Sequence, residues 1–390
     1  MPSILEIARS LEPELIEIRR DIHRHPEVAW EEFRTSGIAA DQCAKSGLEI
    51  RLGAAKTGVV AVLNPEKQGP ILALRADMDA LPIQEENEVS YKSTDSGKGH
   101  LCGHDAHTAM LIGAAKILAR YKDRIPFQIR FIFQPAEELP PGGAQVMLKE
   151  GHLDGVSEIL GLHVNPLLPT GCMGIRTGPF MASMDKLVID IEGKGGHAAM
   201  PHLCDDPVLA ASQLVVALQS IVARRVDPLE AGVVSICQIN AGSAFNVIPS
   251  RAQLVGTVRS LAASVRSKMP EWIEEITSHV AAAHGQKSKI EYIHGTPVLV
   301  NQKAPVEAMI QDFRKLGGTH TEIKPTMGGE DFAFYLEKIP GCFAFLGAGN
   351  GSKETSNCFH HPRYNIDERA LAWGSAIFVQ SVFSRAGVSL

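Results

Sequence analysis

Short, mainly apolar runs constrain the fold of this chain more than any other feature of its sequence. They lie at 59–63, 71–74, 129–133 and 159–164, and Pro, Gly or charged residues bound them. Runs of this length without polar alternation are typical of strands buried on both faces of a sheet. A strongly apolar segment at 107–121 lies among them and predicts a core helix. The sequence therefore predicts an α/β domain whose mixed sheet is flanked by helices.

Helices are predicted at both ends of this domain. Near the start of the chain, apolar residues recur every three or four positions, as on one face of an amphipathic helix; they are Ile4, Ile7, Leu11, Leu15, Ile18 and Ile22. A second helix is predicted at 35–46, where Gly47 ends it. Two more are predicted at 304–316 and 367–384.

The middle of the chain has a different pattern. Strands are predicted at 186–192, 233–239, 252–258 and 289–294, and helices at 207–225 and 264–284. The resulting β-α-β-β-α-β order is that of a ferredoxin-like α+β domain. We therefore predict a discontinuous domain of residues 1–180 and 297–390, interrupted by an inserted domain at 181–296.

Composition excludes several classes of protein. The formal net charge is −6 and no long Lys/Arg run is present, which argues against a nucleic-acid partner. No stretch of about 18 uninterrupted apolar residues is found, so no membrane partner is expected. The first residues lack the basic and apolar regions of a secretory signal. The seven cysteines are odd in number and scattered, which favours a reducing cytoplasm.

Residue types that bind metals follow the predicted strands or lie in adjoining loops. They are concentrated at 99–107, which holds Cys102 and His104, at 134–138, which ends in Glu137 and Glu138, and around His163 and the pair His360–His361. Each one alone has an ordinary explanation, such as a structural histidine, a solvated acidic face or an acidic helix N-terminus. Together, Cys, His and Glu predict a site for zinc, manganese, cobalt or a similar divalent ion.

Eight motifs in order along the chain carry a family resemblance. They are RRDIHRHPE (19–27), RADMDALP (75–82), CGHDAHTAML (102–111), FQPAEE (133–138), GLHV (161–164), GKGGHAAMPH (193–202), NVIP (246–249) and GGEDFAFY (328–335). The chain resembles the M20 metallopeptidase/amidohydrolase family, in its branch of N-acyl-amino-acid amidohydrolases and hippurate hydrolases. The resemblance implies a catalytic α/β domain that binds two divalent metal ions and an inserted lid domain through which the subunits form a homodimer or higher oligomer.

The resemblance also implies roles for individual residues. The implied metal ligands are Cys102, His104, Glu138, His163 and His360, and the ions would be Zn, Mn, Co or Ni. Glu137 matches the general base, and Asp79 and Asp105 match carboxylates that orient ligands. His197 matches a residue that stabilises the oxyanion, and Asn246 and Arg259 match positions that hold the substrate carboxylate. For Arg259, an inter-strand or surface salt bridge is an equally good interpretation.

The implied reaction is metal-dependent hydrolysis of the amide bond of N-acetyl or N-benzoyl amino acids, which releases a carboxylic acid and a free amino acid. Two alternatives remain open at this point. One is a peptidase or carboxypeptidase that acts on short peptides or amino-acid conjugates. The other, from a different class, is a catalytically inactive homologue that only binds a ligand.

Overall fold

Helices and strands alternate along most of the chain. The structure is a computed structural model that describes residues 2–140 and 142–389. The helices are α1 Ile4–Arg24, α2 Phe33–Lys45, α3 His104–Arg120, α4 Gly143–Lys149, α5 Pro207–Arg224, α6 Ala263–Ala283, α7 Lys303–Lys315, α8 Ala333–Leu336 and α9 Ala370–Ala386. The strands are β1 Glu49–Ala54, β2 Gly58–Leu63, β3 Ile71–Asp77, β4 Gln128–Gln134, β5 Val156–Pro169, β6 Cys172–Ile175, β7 Gly178–Met181, β8 Ser183–Glu192, β9 Gly196–His197, β10 Gly232–Ala241, β11 Val247–Ile248, β12 Arg251–Ser260, β13 Lys287–Thr296, β14 Leu299–Asn301, β15 Thr319–Glu322 and β16 Gly341–Gly349.

The chain divides into two compact units. The first contains the residues up to Gly178, Val300–Lys324 and the residues from Asp331 onward. The second contains Pro179–Leu299 and the short segment Pro325–Glu330. The assignment of a catalytic role to one unit and a lid role to the other remains a prediction.

An eight-stranded mixed sheet organises the first unit. Its strand order is β1-β2-β4-β3-β5-β16-β6-β15. β3 is parallel to both β4 and β5, and β16 is parallel to β5, whereas β1, β2 and β4 pair in antiparallel fashion. Helices α1, α3 and α9 pack together, and their apolar residues share one core with the sheet. The predicted α/β class, with a mixed sheet flanked by helices, is confirmed.

Strand β16 is not predicted from the sequence, although it is entirely buried and lies between β5 and β6. Its sequence, GCFAFLGAG, is rich in small residues and therefore lacks the β-branched signal of a strand. The small residues are needed for close packing. A Cβ at Gly341 would lie 2.1 Å from the carbonyl oxygen of Ile159, and one at Gly347 would lie 2.0 Å from that of Pro169.

A four-stranded antiparallel sheet with two helices forms most of the second unit. The strand order is β10-β12-β8-β13, and each neighbouring pair is antiparallel. Numbered along the β-α-β-β-α-β run, this is the order 2-3-1-4 of a ferredoxin-like sheet, as the sequence pattern predicts. Helices α5 and α6 pack on each other and on the sheet, and enclose a separate apolar core.

Helix α5 is long and apolar enough to cross a membrane by length and composition, and it is the one such helix among the described residues. In the structure its buried positions recur every three or four residues and face strands β10 and β12. This periodicity is also typical of a helix that covers one face of a sheet.

Candidate active site

The carboxyl ends of three neighbouring parallel strands define the candidate site. Asp79 lies two residues after β3, and Glu137 and Glu138 follow the end of β4. His163 follows the part of β5 that pairs with β3. Because the carboxyl ends of parallel strands meet at one edge of a sheet, the loops there bring residues from distant parts of the chain together.

Gly103 determines how the chain enters helix α3. Its φ is +97°, and a Cβ at this position would lie 2.4 Å from Val164 and 2.6 Å from the hydroxyl oxygen of Tyr364. Only glycine fits such a turn without displacing its neighbours. The turn starts α3 at His104, three residues before the predicted start at 107. Cys102 and His104 therefore lie on either side of the turn.

Cys102, His104 and His163 form the buried part of the site. Their candidate ligand atoms all lie within 4.8 Å of one another, and Cys102 Sγ is 3.4 Å from His163 Nε2. Nδ1 of His163 donates to the carbonyl oxygen of Val164 at 2.8 Å, so that Nε2 carries the lone pair. Burial and the neighbouring His107 hold the pKa of His163 well below its usual range. His163 is thus a neutral imidazole, the form that binds metal ions.

The surroundings of the His104 side chain show whether a cation would fit at this site. Its Nδ1 lies 3.3 Å from Oδ1 of Asp79, whereas its buried Nε2 has no hydrogen-bond partner among the described residues. Burial opposes a charge on His104, but Asp77, Asp79 and Glu138 raise its pKa to about 10. The surrounding carboxylates therefore favour positive charge at Nε2. A divalent cation bound to Nε2 would give this buried atom a partner and would place positive charge beside the carboxylates.

The Cys102 thiol leads to the same conclusion. Burial and the nearby carboxylates of Glu138 and Glu137 raise the pKa of this thiol well above its usual range. The thiolate, which is the form that binds metal, needs a nearby positive charge to form in such surroundings. The donor set of thiol, imidazole and carboxylate suits zinc and similar divalent ions.

A second group of ligand atoms extends toward the surface and includes Cys102 again. Cys102, Glu138 and His360 also have candidate ligand atoms within 4.8 Å of one another. His360 Nε2 lies 3.1 Å from Glu138 Oε1. The neighbouring His361 instead accepts a hydrogen bond from the Arg363 N–H at 3.0 Å through its Nδ1. Of the two adjacent histidines, His360 is thus the one that joins the cluster.

Asp79 orders the loop that carries the two glutamates. Its carboxylate is buried and accepts the Glu137 N–H with Oδ1 and the Glu138 N–H with Oδ2, each at 3.0 Å. Glu137, Glu138 and His104 have carboxylate and imidazole atoms within 4.8 Å of one another. One carboxylate therefore orients a candidate ligand, His104, and the backbone of both glutamates.

His107 and Asp77 lie beside the cluster, but their side chains bind each other. His107 donates from Nδ1 to Asp77 and accepts the Val164 N–H at 2.9 Å through Nε2. Asp77 also accepts a hydrogen bond from Arg75 at 2.7 Å. Both ring nitrogens of His107 are thus occupied, so these residues support the site. His107, Asp77 and Arg75 lie within the motifs, but no role is predicted for them from the sequence.

The Asp105 side chain contacts helix α1. Its Oδ2 accepts hydrogen bonds from Arg19 Nε at 2.6 Å and His23 Nδ1 at 2.8 Å. His23 Nε2 in turn lies 3.1 Å from Glu85. Burial opposes charge on Asp105, but Arg19 and His23 hold its pKa well below the usual range. The hydrogen bonds from Arg19 and His23 therefore connect α1 to the start of α3.

The remaining predicted residues lie in the second unit. His197 is exposed and pairs with Val247 between β9 and β11. The Asn246 carbonyl accepts a hydrogen bond from the Ala198 N–H at 3.1 Å, so Asn246 adjoins His197. Arg259 lies on β12, half-buried, with Nη1 3.5 Å from the carbonyl oxygen of Met327. The structure thus brings His197 and Asn246 together and places Arg259 on a different strand.

These features define a candidate metal-binding cluster at the edge of an α/β sheet, and comparison with known proteins identifies the family of the chain. The profile of Peptidase family M20/M25/M40 matches residues 73–383. The chain is 42% identical over 373 residues to N-acetyl-L-cysteine deacetylase of Bacillus subtilis, covering 95% of this chain and 88% of that protein. It is 38% identical over 370 residues to thermostable carboxypeptidase 2 of Saccharolobus solfataricus, covering 94% of each.

A solved structure agrees with these sequence matches. The Bacillus subtilis YXEP protein, described as a dinuclear metal-binding peptidase from the M20 family, superimposes with a TM-score of 0.85 at 35% identity. The alignment covers 98% of this chain and 99% of that one. The chain belongs to the M20/M25/M40 peptidase family, and the resemblance inferred from its motifs is confirmed.

Proposed function

We propose that the protein is a metal-dependent amidohydrolase that cleaves the amide bond of N-acyl amino acids and releases a carboxylic acid and a free amino acid. One observation carries the proposal. Cys102 belongs to two groups of candidate ligand atoms, and Glu137 adjoins them in a third. The similarity to an N-acetyl-L-cysteine deacetylase supports an acyl amino acid as the substrate. The acetyl and benzoyl groups are the acyl groups to test first.

The proposed metal set is Cys102, His104, Glu138, His163 and His360, and these residues would hold two divalent ions per subunit. Zn, Mn, Co and Ni all suit this mixture of sulfur, nitrogen and oxygen donors. Bound divalent ions would polarise the amide carbonyl and lower the pKa of a bound water molecule.

Glu137 is the proposed general base. Its carboxylate takes a proton from the attacking water molecule while the water oxygen bonds to the amide carbon. When the C–N bond then breaks, Glu137 returns this proton to the leaving amino group. Asp79 supports this role because it holds the Glu137 N–H and orients His104.

The second unit supplies the proposed substrate contacts. His197 would donate a hydrogen bond to the oxyanion, and Asn246 and Arg259 would bind the substrate carboxylate. Mixing His197→Ala and Glu137→Gln chains tests whether His197 acts on a partner subunit. Recovered activity in the mixed oligomer supports action between subunits, whereas its absence assigns His197 to its own subunit.

We also propose that the second unit is a lid through which two copies associate as a homodimer or higher oligomer. β10 is an edge strand, and an edge strand can pair with the same strand of another copy. Apolar side chains on β10 and α5 are exposed, with Ile239 on β10 at 51% and Val216 on α5 at 72%. Sedimentation of the Val216→Asp variant tests this association, and an unchanged mass would exclude the α5 face.

The proposed location of the protein is the cytoplasm.

The experiment that tests the function measures release of free amino acid from N-acetyl and N-benzoyl amino acids and from dipeptides, before and after chelation of metal. Faster turnover of the acyl amino acids supports the proposal. Faster turnover of the dipeptides favours a carboxypeptidase, an alternative that the similarity to a thermostable carboxypeptidase keeps open. No turnover of any amide with Zn, Mn, Co or Ni would favour an inactive binding homologue.

A further inference from the structure

A buried carboxylate far from the ligands in sequence contacts the loop that carries Glu137. Glu32 lies directly before α2 and its side chain is fully buried. Its Oε1 accepts hydrogen bonds from the Ala136 N–H at 2.8 Å and the Trp30 N–H at 3.0 Å. Its Oε2 accepts the Thr57 hydroxyl. A buried carboxylate requires such donors, and one of them is the backbone immediately before Glu137.

Glu32 occupies the N-cap position of α2, yet it does not cap that helix. Glu27 performs the capping, because its two carboxylate oxygens accept the N–H groups of Arg34 and Thr35, each at 2.8 Å. Acidic side chains at helix starts normally bind the first N–H groups. Here Glu27 satisfies them, and the Glu32 carboxylate is directed inward to Ala136.

Ala136 is the residue at which the loop needs this support. Its φ is +53°, in the left-handed region that residues other than glycine rarely adopt. Its N–H binds Glu32, and its carbonyl oxygen accepts the Gly143 N–H at 3.1 Å. The left-handed turn at Ala136 is followed at once by Glu137 and Glu138, whose N–H groups both reach Asp79. The conformation of Ala136 therefore determines the direction of both glutamates.

We propose that Glu32 is a positioning residue that holds the left-handed turn at Ala136 and thereby aims the Glu137 and Glu138 carboxylates at the metal cluster. This inference rests on the proposed function, because that function gives Glu137 and Glu138 their roles as base and ligand. Glu32 itself belongs to none of the groups of candidate ligand atoms among the described residues.

The test compares Glu32→Ala, Glu32→Gln and Thr57→Val in the full-length protein loaded with Co²⁺. Thr57→Val is the matched control, because it removes a different hydrogen bond from the same carboxylate. Glu32→Gln keeps an oxygen that can accept the Ala136 N–H. At full Co²⁺ occupancy, Glu32→Ala is expected to lower kcat by about 10²-fold through misplacement of the base and to change KM little. Its Co²⁺ absorption spectrum is expected to shift because Glu138 is a ligand.

Glu32→Gln and Thr57→Val are expected to keep the kcat and the Co²⁺ spectrum of the wild type. A wild-type spectrum and kcat in Glu32→Ala, or equal losses in Thr57→Val, would overturn the proposal. If Glu32→Ala does not fold, Glu32→Asp replaces it under the same criteria, because its carboxylate is one methylene too short for Ala136. A wild type that hydrolyses no amide would defeat the proposed function, while the Co²⁺ spectra would still decide the role of Glu32.

Discussion

Nδ1 of His104 lies 3.3 Å from Oδ1 of Asp79, and this pairing leaves Nε2 as the nitrogen that faces the candidate metal cluster. The same carboxylate accepts the N–H groups of Glu137 and Glu138. The proposed general base and two candidate ligands thus depend on one side chain that would not itself bind the metal.

Asp79→Asn should therefore weaken metal binding and turnover together. The amide nitrogen of Asn would face an N–H group, so at least one of the two backbone hydrogen bonds is lost. Changes to residues that orient ligands typically cost about 10- to 100-fold in metal affinity or activity. Competition with a chromogenic chelator measures the affinity. Asp123→Asn, on an exposed turn, is the control, and equal affinities in the two variants would contradict the role of Asp79.

Glu137→Gln should keep the metal and lose turnover. The amide has nearly the size of the carboxylate, but it cannot accept a proton from water. The loss in kcat should be about 10²–10⁴-fold, the usual contribution of a general base. Metal content by atomic emission and the rate on an N-acyl amino acid are measured on one sample. The exposed Glu307 provides the control variant, Glu307→Gln, and a near-normal rate in Glu137→Gln would refute the assignment.

Gly103→Ala should destabilise the protein and weaken its metal binding, because the new Cβ would collide with Val164 and Tyr364. Overpacking of this kind costs about 1–3 kcal/mol. Gly47→Ala is a matched control, since Gly47 has a φ of +83° but no atom within 4 Å of an added Cβ. Urea unfolding of both variants separates the collision from backbone strain. Equal losses of stability would show that the space around Gly103 is not limiting.

The contribution of His23 to stability should decrease at alkaline pH. Burial and Arg19 oppose its protonation, but hydrogen bonds to Asp105 and Glu85 outweigh them and raise its pKa in the folded protein. A raised histidine pKa gives stabilisation that is complete below the unfolded value of about 6.5 and is lost as the pH rises through the folded pKa. The difference in unfolding free energy between wild type and His23→Gln should thus be larger near pH 6 than near pH 9, as measured by urea titration. A difference that grows with pH would contradict this sign.

The sheet could be predicted from the sequence where strands are mainly apolar. β2 contains a continuous apolar run, and the runs in β4 and β5 are interrupted only by Arg130 and His163, because both faces of these strands are covered by protein. β16 is just as buried, but its glycines and alanines serve close backbone packing and carry no pattern that distinguishes a strand from a loop. Sequence patterns report which faces are buried, and they do not report how closely two backbones approach.

The candidate ligands could be named because they occur together in specific motifs that resemble those of a known family. Apart from Asp79, the residues that support them could not. Glu32 and Ala136 are 104 positions apart, and Arg75 and Asp331 are 256 apart. A buried carboxylate such as Glu32 has the same sequence context as a helix cap, and only the position of Glu27 shows that it is directed elsewhere.

The position of β16 has a consequence for synthesis on the ribosome. This strand pairs with β5 on one side and β6 on the other, although the whole run Pro179–Leu299 of the second unit is translated between them. Domains generally fold in the order in which they emerge. Here the second unit can finish folding while the sheet of the first unit still has a gap between β5 and β6. His360 follows β16 in the chain, so the nascent protein gains its complete set of candidate metal-binding side chains only after β16 has been made.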